Sequence, residues 1–120
     1  MNLNLFIGFP MMDFVVRECR AVVDGPMIMV RLGTCGTLDT NIKVGSIVVA
    51  SEGSILIQRD PDAWSDNTKQ HYRFSNIVLP DVDLSNQLIN HLKSELGTIP
   101  VYSGLNATAD SFYSSQGLFT

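Results

Sequence analysis

Between Met11 and Leu32 the sequence changes from a helical period to a short, nearly continuous apolar run. That junction restricts the fold more than any other feature. Met11, Val15 and Val22 share one face of a helix over residues 11–24, and Met12, Val16, Cys19 and Val23 share an adjoining one. Pro10 stands where a helix start tolerates it, Asp13 favours the first turn, and Asp24-Gly25-Pro26 is a stop. Met27 to Leu32 is bounded by turn signals on both sides, which suits a strand buried on both faces. Upstream, Leu3, Leu5 and Ile7 alternate as a short strand, closed by Gly8-Phe9-Pro10. Strand, helix and strand within about 30 residues predict a βαβ unit and therefore a parallel strand pair.

The same alternation continues. Ser46–Ala50 and Ser54–Gln58, rich in Ile and Val, predict two further strands. Residues 59–77 are polar and read as a long loop with one helical turn. Asp83 is expected to cap a helix over 84–96, where Leu84, Leu88, Leu92 and Leu96 recur at i+4 beside Ile89, and Gly97 ends it. Thr98 to Thr108 reads as one more strand, and Ala109 to Thr120 as a turn and the start of another element. The expected class is α/β, a central mixed and mostly parallel sheet flanked by helices, in a single domain over 1–120.

Composition excludes several functions. A 45% hydrophobic and 17% charged chain is not disordered. A net charge of −4, with eight scattered Lys and Arg, argues against a nucleic-acid binder, so any anion site must be small and local. Cys19 and Cys35 are too few for a disulfide scaffold, and no C-x-x-C accompanies His71 or His91, so no metal site is expected. The N-terminus lacks a basic region before its apolar residues, and no apolar stretch reaches the ~20 residues of a membrane span. These features point to a cytoplasmic protein without a membrane partner.

Two segments could carry chemistry. In Arg31-Leu32-Gly33-Thr34-Cys35-Gly36 an arginine ends an apolar strand, and two glycines let backbone N–H groups approach a ligand. Ligands of open α/β sheets bind outside the carboxyl ends of strands. A small oxyanion such as phosphate suits the fork of Arg31 and the hydroxyl of Thr34. The alternative is a salt bridge from Arg31 to Asp39 or Glu52, with glycines that merely turn the chain. The pattern is not a Walker A loop, for it lacks the Lys-Ser/Thr pair. In the second segment, Asn106 to Gln116, Phe112 could stack on a planar ligand and Gln116 could read a base edge. The alternative there is a core aromatic beside a surface turn. Cys35, His71 and His91 read as tolerated or solvated side chains, and Asp60, Asp62 and Asp66 as a solvated acidic loop rather than a cation site.

Taken in order, Arg-Leu-Gly-Thr-Cys-Gly and, 75 residues on, Asn-Ala-Thr-Ala-Asp-Ser-Phe-Tyr-x-x-Gln resemble the nucleoside phosphorylase family of uridine and purine nucleoside phosphorylases. The uridine branch of protozoan parasites is the nearer match. The resemblance runs from Gly8 to Gln116 and implies a sheet that partly closes into a barrel. It implies reversible phosphorolysis of uridine to uracil and ribose 1-phosphate, with phosphate as co-substrate, no cofactor, and a homo-oligomeric full-length form. Position by position, it places Arg31 and Thr34 on phosphate and Thr34 also on ribose. It places Gly36, Phe112 and Gln116 on the base. The uridine branch carries an arginine two residues after that glutamine, where this chain has Leu118. Family chains are about twice as long or more, so the resemblance implies a truncated chain that supplies one part of the fold. A purine nucleoside phosphorylase, or a non-catalytic module that keeps the phosphate loop, is the alternative.

Overall fold

The computed structural model describes residues 9–63, 65–66 and 68–111. They divide into two compact units, Met1–Gly36 and Thr37–Thr120.

The first unit holds helix α1, Phe9–Val22, which begins two residues before the expected start. Pro10 therefore falls inside the first turn, where its missing N–H costs nothing. Asp13 lies one residue past that turn, and its role is different from the one expected. Its carboxylate accepts the Arg17 Nε–H at 2.9 and 3.0 Å, an i,i+4 ion pair on the exposed face. Met12, Val15 and Cys19 form the half-sheltered stripe. The helix ends just before Asp24-Gly25-Pro26, the expected stop, with Arg20 Nη1 donating to the Gly25 carbonyl at 2.6 Å.

The strand expected at Met27–Leu32 is not formed. Residues 26–37 have no regular structure, and Ile28, Val30 and Leu32 are 73%, 62% and 93% exposed. A strand exists only through its ladder, and no described residue pairs with this run. The period of the sequence reports the appetite for burial, not the presence of a neighbour. The predicted βαβ unit is thus absent among the described residues, and its first strand, Leu3–Ile7, lies outside them.

The second unit carries the α/β architecture. Strand β1 (Ile47–Val49) pairs in parallel with β4 (Val101–Ser103). Strand β2 (Ser54–Arg59) lies between antiparallel β3 (Tyr72–Phe74) and parallel β5 (Asn106–Ala109). The single strand expected over Thr98–Thr108 is two, divided at Gly104-Leu105. The divide is a corner. Residues 50–53 on one side face residues 104–105 on the other, and Gly104 N–H to Val49 O (3.0 Å) and Asn106 N–H to Gly53 O (2.9 Å) carry the ladder across. Gly53 makes this corner at φ 106°, and a methyl group there would lie 2.5 Å from Ile77 Cγ2 and 2.9 Å from the Val78 carbonyl oxygen.

The polar stretch 59–77 contains the expected helical turn, Pro61–Ala63, and also β3, which was not expected. Beyond β3, Ser75 extends the pairing. Leu56 N–H donates to Ser75 Oγ at 2.9 Å, and Ser75 N–H donates to Leu56 O at 2.9 Å. Helix α2 spans Val82–Leu96 and ends at Gly97. Its cap is Asp81 rather than Asp83: Asp81 Oδ1 accepts the Leu84 N–H at 2.9 Å. Ser85 and Ile89 are its buried residues, and the helix packs against β4.

Candidate functional site

Arg31, Thr34 and Gly36 lie in one segment of the first unit, and all three are exposed. The segment has no secondary structure, so the positions of its groups follow from side-chain reach and from the glycines. The Arg31 side chain folds back over Gly33. A Cβ on that glycine would stand 3.4 Å from Nη1, 3.5 Å from Nη2 and 3.6 Å from Cζ. The guanidinium thus lies at ordinary van der Waals distance from that position, beside the backbone that leads into Thr34. Around Gly36 the corresponding space is open.

The carboxylates of this unit leave the guanidinium alone: Arg31 takes part in no ion pair within its unit among the described residues. Asp39, the partner considered in the alternative reading, holds its own loop, with Oδ1 accepting Asn41 N at 2.8 Å and Asn41 Nδ2 at 2.9 Å. The Arg31 fork supplies only N–H donors, and the Thr34 hydroxyl follows three residues on, groups from which an oxyanion can accept. The exposed free thiol of Cys35 lies between Thr34 and Gly36.

The second segment begins in β5 and is anchored at its end. Asp110 N–H donates to Ile57 O at 3.1 Å, and Asp110 Oδ2 accepts the Arg59 N–H at 2.9 Å. Ser111 Oγ lies 3.4 Å from Tyr72 Oη. Phe112 and Gln116, expected on the base, lie outside the described residues. Asp110 was visible in the motif without an assigned role. The signal that could have found it is an acceptor side chain placed directly after a strand of small residues.

The acidic loop has other partners. Asp60 pairs with Arg73, whose hydrogen bond is the main reason its carboxyl lies below the ordinary 3.8. Asp66 is lowered chiefly by the Thr68 hydroxyl, then by the Thr68 N–H. Among the described residues, no group of three or more His, Cys, Asp or Glu side chains could hold a metal ion. His71 and His91 are exposed. No helix among the described residues is long and apolar enough to cross a membrane.

Comparison with known proteins bears on these segments. Residues 4–117 match the family model described as Phosphorylase superfamily. A solved structure of a uridine phosphorylase from the oomycete Phytophthora capsici is similar over 94% of this chain, with 41% sequence identity and a TM-score of 0.87. The match covers 44% of that chain, so the present chain spans less than half of its length. A comparison with curated proteins finds no match.

Proposed function

Because the chain belongs to the phosphorylase superfamily, we propose that it acts as a nucleoside phosphorylase of the uridine type, converting uridine and phosphate to uracil and ribose 1-phosphate. The observation that carries this reading is the Arg31 guanidinium laid against Gly33, immediately before Thr34 and Gly36. The similarity to a uridine phosphorylase supports it.

In this reading phosphate is the nucleophile, and the protein contributes position and charge. Arg31 binds phosphate oxygens through its planar fork, and the Thr34 hydroxyl lies between phosphate and ribose. A phosphate oxygen bonds to the ribose C1′ as the C1′–N1 bond breaks. The electron pair leaves on uracil N1, which takes up a proton. Gly36 brings backbone close to the base, Phe112 lies beside it, and Gln116 meets a uracil carbonyl and ring N–H. No cofactor or metal enters this scheme. Its partners are nucleoside and phosphate in the cytoplasm, with a homo-oligomer as the full-length assembly.

The test is uracil release from uridine with and without phosphate, with inosine as the purine control. The expected result is release that requires phosphate and prefers uridine. Activity on inosine alone would move the assignment to the purine branch, since Leu118 stands where the uridine branch carries an arginine. A second reading, a module that keeps the phosphate loop without catalysis, is favoured by the exposure of Ile28, Val30 and Leu32. Phosphate binding without turnover of either nucleoside would select it.

A further inference from the structure

The sheet β3-β2-β5 has one apolar and one mainly polar face. Ladder partners share a face, and successive residues of a strand alternate between faces. The registers Ile55↔Ala107, Ile57↔Ala109 and Ile57↔Phe74 therefore gather five apolar side chains on one side. The other side carries Ser54, Gln58, Arg73, Asn106 and Thr108, with Leu56 and Val78 among them. Because Val78 bridges to Ser54, its neighbours Ile77 and Leu79 return to the apolar side. Both reach the position a Cβ on Gly53 would take, Ile77 Cγ2 at 2.5 Å and Leu79 Cδ2 at 3.5 Å. Arg59 and Tyr72 end the apolar side. None of its seven apolar residues is buried, and Phe74, Ile77 and Leu79 are 57%, 54% and 68% exposed. Helix α2 packs against β4, a strand of the other sheet. Single exposed apolar residues are ordinary on a protein surface, but a continuous apolar sheet face calls for a second layer.

We infer that this face is a docking surface for further polypeptide of the phosphorylase fold, which lays an apolar layer on Ile55, Ile57, Phe74, Ile77 and Leu79. The seven apolar positions carry no charge, so the surface that fits them is itself apolar. The length of the solved relative names the occupant. That uridine phosphorylase shares the fold over nearly all of the present chain and has more than half of its own length beyond the match. A domain more than twice as long has a second layer to place on such a sheet. The inference uses this shared architecture and not the choice of nucleoside, so it stands or falls apart from the proposed activity.

The experiment builds a chimera in which the full chain replaces the matched part of the Phytophthora capsici uridine phosphorylase. Chimera and free chain are compared by denaturant unfolding and by light scattering. Each carries in turn Leu79→Asp, Phe74→Asp and, as a control on the opposite face, Gln58→Asp. In the free chain Leu79→Asp and Phe74→Asp should move the unfolding midpoint little, because the face is open to water. In the chimera each should lower the folding equilibrium constant at least about 10-fold, since a covered apolar side chain is lost and a charge is left beneath the layer. Gln58→Asp should be tolerated in both. A chimera that does not fold overturns the inference, and so does one that tolerates Leu79→Asp and Phe74→Asp. An equal loss from Gln58→Asp also overturns it, because the effect would not belong to this face. A free chain that is a dimer, dissociated by Leu79→Asp, overturns it as well and makes a second copy the occupant. None of these readouts uses nucleoside turnover, so a failure here is distinct from a failure of the proposed activity.

Discussion

The Asp60 carboxylate and the Arg73 guanidinium meet at two points, Nε to Oδ2 and Nη2 to Oδ1, each 2.8 Å long. Arg73 lies on β3 and Asp60 just beyond the end of β2. Asp60 N–H also donates to the His71 carbonyl at 2.8 Å, so backbone and side chain close the same end of the hairpin. The fork geometry explains why both partners titrate away from their ordinary values. Arg73 holds the Asp60 carboxyl low, and Asp60 raises the Arg73 guanidinium. The Arg73 side chain is 64% exposed and that of Asp60 18%, so solvent and salt weaken the pair.

Asp60 makes stability depend on acid. A carboxyl lowered on folding contributes stability above its unfolded-state value, and that contribution disappears as pH falls through the folded-state value, below 3.8. The melting-temperature gap between the parent and Asp60→Asn should be constant from neutral pH to about pH 5 and should narrow as pH falls below 3.8. A thermal scan series across that range checks it. A gap that stays open at the acid end would show that the ion pair is not its source.

Asp81 should matter more to folding than Asp83. Replacing Asp81 with alanine leaves the Leu84 N–H without its acceptor and should cost about 0.5–2 kcal/mol in denaturant unfolding. Asp81→Ser should regain most of this. Asp83→Ala removes only a favourable charge in the first turn, and its loss should be smaller.

Gly53→Ala should destabilise the second unit through two effects. The backbone at φ 106° disfavours any side chain, and the added methyl group would press on the Val78 carbonyl at 2.9 Å. Ile77 can rotate away, but the Val78 backbone is fixed by its two 2.9 Å bonds with Ser54. We expect a loss of about 1–3 kcal/mol, measured by chemical unfolding. An unchanged midpoint would mean that the corner between the two ladders yields.

Both helices were legible because about four turns of apolar period, bracketed by Pro10, Asp24-Gly25-Pro26 and Gly97, leave little choice. Strands β1 and β2 were legible as Ile- and Val-rich runs. Strand β3 was not, because Tyr72-Arg73-Phe74 is three residues in a polar stretch and its pairing to β2 is a tertiary fact. The corner at Gly104 was missed for a related reason: a glycine within Val101 to Ala109 hints at a bend, but only the partner strand requires the break. Met27–Leu32 shows the converse, an apolar run without a described ladder. Of the candidate site, the adjacency of Arg31, Thr34 and Gly36 was present in the sequence, but the fold of the guanidinium over Gly33 was not.

The proposed binding of phosphate by the Arg31–Gly36 segment is read out by calorimetric titration of inorganic phosphate into the chain and its Arg31→Ala variant. A bidentate charge-assisted contact contributes about 2–4 kcal/mol, so the variant should bind phosphate roughly 30- to 1,000-fold more weakly. Arg31→Lys should recover part of the loss, since an ammonium supplies charge without the fork. The melting temperature should change little, because Arg31 is exposed and forms no ion pair in its unit among the described residues. A variant that binds phosphate as tightly as the parent while melting at a lower temperature would contradict a phosphate role for Arg31 and return it to a structural salt bridge.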